Sequence, residues 1–172
     1  MLYVVMGPSG SGKTSVVNSL CKIFHYKTIE SYTTRKKRSE NETGHIFVTE
    51  QEFENLKNKI APVEYDGNKY CCTKEQLENC DLVVLEPSAI DELIKNNIEF
   101  EVLYINASDE ARIKRMRLRG DGNEAIESRM KEDSVVFDNI KAPVIEYFDN
   151  DSALLCCVYD IHYYIREKNN EW

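Results

Sequence analysis

The sequence predicts an α/β fold, with a parallel sheet flanked by helices and a small β-rich lobe inserted into it. Three observations carry that reading. Short apolar runs rich in β-formers alternate along the chain with amphipathic stretches at helical spacing. A glycine-rich octapeptide joins the first such run to the first amphipathic stretch. Between residues 31 and 73 the alternation gives way to hairpin-like segments, as an inserted lobe requires.

Each element has a local cause. Leu2 to Met6 is a short apolar run suited to a buried strand. After the glycines, Val16, Val17, Leu20, Ile23 and Phe24 recur at helical spacing, which predicts a helix from about Lys13 to His25. Thr49 with Glu52 makes a capping box, followed by Phe53, Leu56 and Ile60 on one helical face. Val63 to Tyr65, the pair Asp66-Gly67 and Asn68 to Tyr70 read as a tight hairpin. Thr73 with Gln76 opens another short helix. Leu82 to Leu85 is a second buried strand, and Ser88 is expected to cap a helix carrying Ile90, Leu93 and Ile94. Phe100 to Ile105 is a third strand. Ser108 precedes a basic helix to about Leu118, Gly120-Asp121-Gly122 breaks it, and a further helix starts near Asn123. Val144-Ile145 is expected as a last short strand. Asp151 or Ser152 is expected to cap a final helix carrying Leu154, Leu155, Val158, Ile161 and Ile165.

The composition narrows the classes. With 172 residues, 42% hydrophobic and 30% charged, the chain suits one globular domain with a full core. Lysine plus arginine is 22 and aspartate plus glutamate is 30, so the net charge is 22 − 30 = −8. That argues against a uniformly basic nucleic-acid binder and leaves room for local basic patches. No apolar run approaches a membrane span. The first residues lack the basic stretch of a secretory signal, so an intracellular, cytoplasmic protein is expected. The six cysteines include two adjacent pairs and no CxxC, which fits reduced thiols rather than disulfides or a zinc site.

Gly7-Pro8-Ser9-Gly10-Ser11-Gly12-Lys13-Thr14 matches G-x-x-x-x-G-K-[ST] in full, with a strand before it and a helix after it. The glycines let successive backbone N–H groups turn inward on phosphate oxygens, and the helix N-terminus adds partial positive charge. Lys13 reaches the β- and γ-phosphates, and the Thr14 hydroxyl ligates Mg²⁺. A GTPase would show N-K-x-D. Asn58-Lys59-Ile60-Ala61 and Asn68-Lys69-Tyr70-Cys71 both lack the aspartate. The small size and the inserted lobe favour a kinase that closes over a small acceptor.

Two basic segments complete the picture. Ser31-Tyr32-Thr33-Thr34-Arg35-Lys36-Lys37-Arg38 places four cations beside hydroxyls and a phenol, a mixture that serves anion binding or simply a solvated basic face. Residues 112 to 131 carry seven positive and three negative charges, net +4 in an acidic chain. Arg119 and Arg129 flank the glycine break there. They are candidates to stabilise a phosphoryl group in transfer.

G-P-S-G-S-G-K-T, S-Y-T-T-R-K-K-R, T-G-H-I-F-V, E-Y-D-G-N-K-Y and R-L-R-G before a second arginine, in that order, resemble the guanylate kinase family from about residue 2 to residue 134. The resemblance implies a P-loop kinase core (residues 1–30, 81–116 and 135–172), a GMP-binding lobe of mixed β structure (31–80) and a helical lid (117–134). It implies Mg²⁺-dependent transfer from ATP to GMP. Gly7 to Thr14 would hold ATP, and Lys13, Arg35, Arg119 and Arg129 would be catalytic. Ser31, Arg35, Arg38, His45 and Tyr70 would surround the GMP phosphate, and Glu64, Cys72 and Glu86 the base. The expected partners are these small molecules, with neither nucleic acid nor membrane.

This chain departs from the family pattern in its acceptor pocket. Cys72 stands where the family has Ser or Thr, His45 where it has tyrosine, and Val84 where it has aspartate. Glu86-Pro87-Ser88-Ala89 replaces an aspartate-containing segment ending in Gln-Gly, and the stretch from Glu64 to Gly67 is short. Transfer to another phosphorylated small molecule is therefore the alternative, followed by a non-catalytic binding module of the same fold.

Overall fold

β1 (Leu2–Met6) is buried along its whole length, and the core is arranged on its two faces. The computed structural model describes residues 1–37, 40, 45–65, 67–138, 140–151 and 153–170, with Tyr65 described by its backbone alone. β1 lies between β6 (Leu82–Val84) and β7 (Phe100–Asn106), and β8 (Ile145–Asp149) extends the sheet beyond β7. All three pairings are parallel.

A run of apolar residues without alternation is what a strand covered on both faces needs. Tyr3 and Val5 pack with Leu20 of α1 (Lys13–Phe24) and with Val158 and Ile161 of α7 (Leu154–Lys168). Leu2, Val4 and Met6 pack on the other side with Ile60, Val102 and Leu93, the last from α4 (Ile90–Lys95).

The insert forms a second sheet in the order β3 (His45–Phe47), β2 (Ser31–Thr33), β5 (Asn68–Thr73), β4 (Lys59–Tyr65). β2 and β3 run parallel, and the other two pairings are antiparallel. The short helices α2 (Glu50–Asn55) and α3 (Lys74–Glu78) each begin with the complete capping box that Thr49/Glu52 and Thr73/Gln76 predict. α5 (Asp109–Leu118) and α6 (Asn123–Val136) follow, separated by the expected glycine break, and Ser108 caps α5 through the Ala111 amide.

Four local expectations are corrected. The helix after Thr49 stops at Asn55, and Ile60 belongs to β4, where pairing with Cys72 buries it in the core. Ser88 lies inside a single 3₁₀ turn, Pro87–Ala89, and α4 starts after it without a side-chain cap. The last strand runs over Ile145–Asp149, longer than Val144-Ile145, because β7 offers a full edge to pair with. α7 begins after Ala153 without a capping side chain. Asp151 is drawn away by the Ser108 amide, which donates to its Oδ1 at 2.7 Å, and Ser152 lies outside the described residues.

All six cysteines are free thiols. Among the described residues no helix is long and apolar enough to cross a membrane. Ile161 is fully buried between α7, α1 and the sheet. Replacing it with alanine is expected to cost about 2–5 kcal/mol of stability, read as a lower denaturant midpoint at unchanged slope.

Candidate active site

The phosphate loop leaves the carboxyl end of β1 and enters α1. Its carbonyls are gripped from outside. Arg112 Nε donates to Ser9 O at 2.9 Å, Arg115 Nη1 to Gly10 O and Ser11 O at 3.3 and 3.2 Å, and Asn150 Nδ2 to Ser11 O at 2.7 Å. A trans peptide sets its N–H opposite its C=O, so outward carbonyls at Ser9 and Ser11 turn the Gly10 and Gly12 amides inward. The grip leaves no room for side chains. At Gly10 (φ +79°) a Cβ would lie 2.7 Å from Arg112 O, and at Gly12 (φ +98°) 2.4 Å from Asn150 Nδ2.

α1 starts on Gly12 with no capping side chain, so its first amides are free for an anion. Lys13 Nζ folds against Gly7 O, and against Pro8 O at 3.2 Å. Burial lowers the Lys13 pKa, while the Glu86 and Asp133 carboxylates partly restore it. Beneath the loop the Ser11 hydroxyl is buried without a partner. This loop fits a nucleotide phosphate, and Thr14, exposed at the mouth, fits a Mg²⁺ ligand that shares the ion with phosphate oxygens.

A cleft of about 660 Å³ joins Thr14 to the inserted lobe, where Ser31, Arg35, His45, Tyr70 and Cys72 line it. Strand register brings these side chains together. Ser31 lies beside His45 across the β2–β3 pair, and Thr33 opposes Tyr70 across β2–β5. Ser31 Oγ and His45 Nδ1 share a hydrogen bond of 2.9 Å, and the His45 and Tyr70 rings meet edge-on at 5.7 Å. The Arg35 guanidinium sits 5.3 Å over the Phe47 ring. Arg38 lies outside the described residues.

A second, smaller cavity of about 120 Å³ adjoins the cleft and is lined by Val63, Cys72, Val84, Glu86 and Ser88. Glu86 is open to solvent as a residue, and burial of its carboxyl raises the pKa while Lys13 draws it down. Cys72 is almost fully buried, and its thiol donates to Ile60 O at 3.5 Å. Burial, reinforced by neighbouring Cys71, pushes the Cys72 thiol up to about 12, so it stays protonated.

Glu64 is not brought to this cavity. β4 carries one extra residue between the pairs Ile60–Cys72 and Val63–Tyr70. Ala61 sits there at φ 50°, its amide held by Glu92 Oε2. The bulge puts Val63 on the Tyr70 face and Glu64 opposite Lys69, on the other face. Lys69 marks that face as the α2 side through its pairs with Glu54 at 2.6 Å and Glu50 at 3.0 Å. Glu64, the residue expected beside an acceptor base, therefore pairs with Lys69 rather than lining this cavity.

Of the two arginines that flank the glycine break, Arg119 is paired with Asp121, which the sequence marked only as part of that break and as one of three negative charges in the basic run. Arg119 bonds both Asp121 oxygens, and the two arginines hold the Asp121 carboxyl below its usual range, Arg119 chiefly by hydrogen bonding. Arg119 is half exposed and close enough to Lys13 to lower its pKa. Sequence reasoning also missed the roles of Arg112, Arg115, Asp133 and Asn150. The basic run over 112 to 131 was the one available signal, and it gave no indication of which cations face the loop.

A family model described as guanylate kinase matches residues 1–150. The chain is 30% identical to the guanylate kinase of Blochmanniella floridana over 148 residues, 77% of this chain and 70% of that one. It is 31% identical to the guanylate kinase of Fusobacterium nucleatum over 144 residues, covering 76% and 77%. The fold is similar to that of guanylate kinase from Anaplasma phagocytophilum, with a TM-score of 0.68 at 18% identity over 98% of this chain and 85% of that chain. With the family model covering residues 1–150, the chain belongs to the guanylate kinase family.

Proposed function

We infer that this enzyme transfers the γ-phosphoryl group of ATP to the phosphate of GMP, giving ADP and GDP, in the cytoplasm. The observation that carries the reading is the single cleft joining Thr14 at the mouth of the phosphate loop to Ser31, Arg35, His45 and Tyr70 in the inserted lobe. Two anions that repel each other are accommodated end to end only where cations and donors converge from both sides.

The chain's residues divide the work. The inward amides of the loop and the start of α1 hold the donor phosphates. Lys13 leaves Gly7 O and Pro8 O for the β- and γ-oxygens. Ser31, Arg35 and Tyr70 orient the acceptor phosphate so that one of its oxygens faces the γ-phosphorus in line. Arg119 exchanges Asp121 for the equatorial oxygens of the phosphoryl group, and Arg129 of α6 joins it there. A positioned arginine of this kind contributes about 10³–10⁵ in rate, or about 4–7 kcal/mol. Thr14 would hold Mg²⁺, which would supply charge neutralisation to the donor phosphates. With Glu64 on the α2 face, Glu86 is the carboxylate left beside the base cavity, where it accepts from the N–H edge of guanine.

A coupled assay with ATP and a panel of GMP, dGMP, AMP, CMP and UMP tests the reading. GMP is expected to give the highest kcat/KM, and equal use of AMP would defeat it. Glu86→Gln is expected to raise KM for GMP about tenfold with little change for ATP, whereas Glu64→Ala leaves both within about twofold.

Lys13→Met is expected to lower kcat/KM by about a thousandfold or more while stabilising the fold at pH 7. The sign follows from the lowered Lys13 pKa. The folded state disfavours the ammonium, so wild type gains stability as pH rises from the folded pKa to the ordinary lysine value. Denaturant titrations of the two proteins should converge toward pH 10 to 11.

A further inference from the structure

Arg112 and Asp133 touch the phosphate loop from behind, and the transfer chemistry above uses neither. Arg112 is 7% exposed and has carboxylate partners on two sides. Its Nη1 donates to Asp109 Oδ1 at 2.8 Å, its Nη2 to Asp133 Oδ2, and its Nε to Ser9 O at 2.9 Å. Asp133 completes the arrangement from α6. Its Oδ2 accepts from the Ser9 amide at 2.8 Å and its Oδ1 from the Ser9 hydroxyl at 3.3 Å. One loop residue is therefore held at three atoms, with its carbonyl on a cation and its amide and hydroxyl on an anion.

Three physical consequences follow. Charge-assisted bonds at these distances fix the Ser9 peptide plane, and hence the direction of the next amide in the cradle. The loop lies directly on α5 at this point, since a Cβ on Gly10 would come 3.0 Å from Arg112 Cα, so any shift of Arg112 is felt by the loop backbone. Arg129 precedes Asp133 by one helical turn on α6, so the bond that orients Ser9 also sets the register of the helix that carries a lid arginine.

We propose that Arg112 and Asp133 are a positioning pair that clamps Ser9, aims the phosphate cradle at the donor nucleotide and keys α6 to the loop. The proposal rests on the donor half of the function above. It does not depend on the identity of the acceptor.

Affinity for ATP with Mg²⁺, titrated calorimetrically without acceptor, is the direct readout, and the KM values for ATP and GMP are the second. Asp133→Asn keeps the shape and removes the charge. It is expected to weaken ATP binding about tenfold and to raise KM for ATP in step, with KM for GMP within about twofold. Unchanged or tighter ATP binding in Asp133→Asn would overturn the proposal. The tighter result would mean that the carboxylate merely occupies a phosphate position.

A buried pair can be replaced by apolar residues without loss of stability, so Arg112→Met with Asp133→Leu separates folding from positioning. The double variant should unfold near the wild-type midpoint and still bind ATP about tenfold more weakly. Recovery of both stability and ATP affinity would show a packing role alone and refute the pair. A wild-type chain that binds no ATP would instead remove the donor reading on which the pair stands.

Discussion

Everything catalytic in this protein depends on a turn of backbone that has no reason to hold its shape unaided. A glycine-rich loop is flexible, and a cradle of inward amides is an entropically costly arrangement. The cost is offset from behind. Arg112, Arg115 and Asn150 take the carbonyls of Ser9, Gly10 and Ser11, and Asp133 takes the Ser9 amide and hydroxyl. Arg112 and Arg115 come from α5, Asp133 from α6 and Asn150 from the end of β8, so the donors are oriented before any phosphate arrives. Preorganised donors lose little on reorganisation, which is why they serve a charge-separated transition state better than water does.

The acceptor side follows a different rule. It is built on a separate sheet whose strands meet the core through β5 and β4, with Ile60 and Cys72 buried in the same cluster as Leu2 and Val4. Side chains alternate on that sheet, so its register decides what the cleft presents. The bulge at Ala61 is held from the core by Glu92, and it exchanges a carboxylate for Val63 on the cleft face. The smaller cavity beside the cleft is therefore lined mainly by aliphatic and thiol groups, with Ser31, Tyr70, Glu86 and Ser88 as its polar contributors. Of these groups Glu86 feels the charge of Lys13 nearby.

Opposite charges also explain how an acidic chain holds the basic run of α5 and α6. Arg119 bonds both oxygens of Asp121, which lies between α5 and α6. The pair is near the surface, where such contacts are weak and easily exchanged. Arg112 is different. It is buried, its partners are fixed, and removing one would strand a charge. The same basic run thus contains an exposed cation paired at the surface and a buried one held at three atoms.

Much of the fold was legible in the residues themselves, for a local reason. The β1 run, the two capping boxes, the hairpin turn, the glycine break and the phosphate loop each depend on residues a few positions apart, and so does the burial period of α1. Membership of an α/β nucleotide-binding class follows from that local grammar. Tertiary structure alone decided which faces and partners those elements received. Register pairs Glu64 with Lys69 after a bulge at Ala61, whose amide bonds a carboxylate 31 positions on. Ser9 is clamped by Arg112 and Asp133, 103 and 124 positions away, and Asn150 reaches Ser11 across 139. Contacts at such separations leave no period and no spacing in the chain. They exist only once the sheet has closed and brought β8, α5 and α6 up behind the loop.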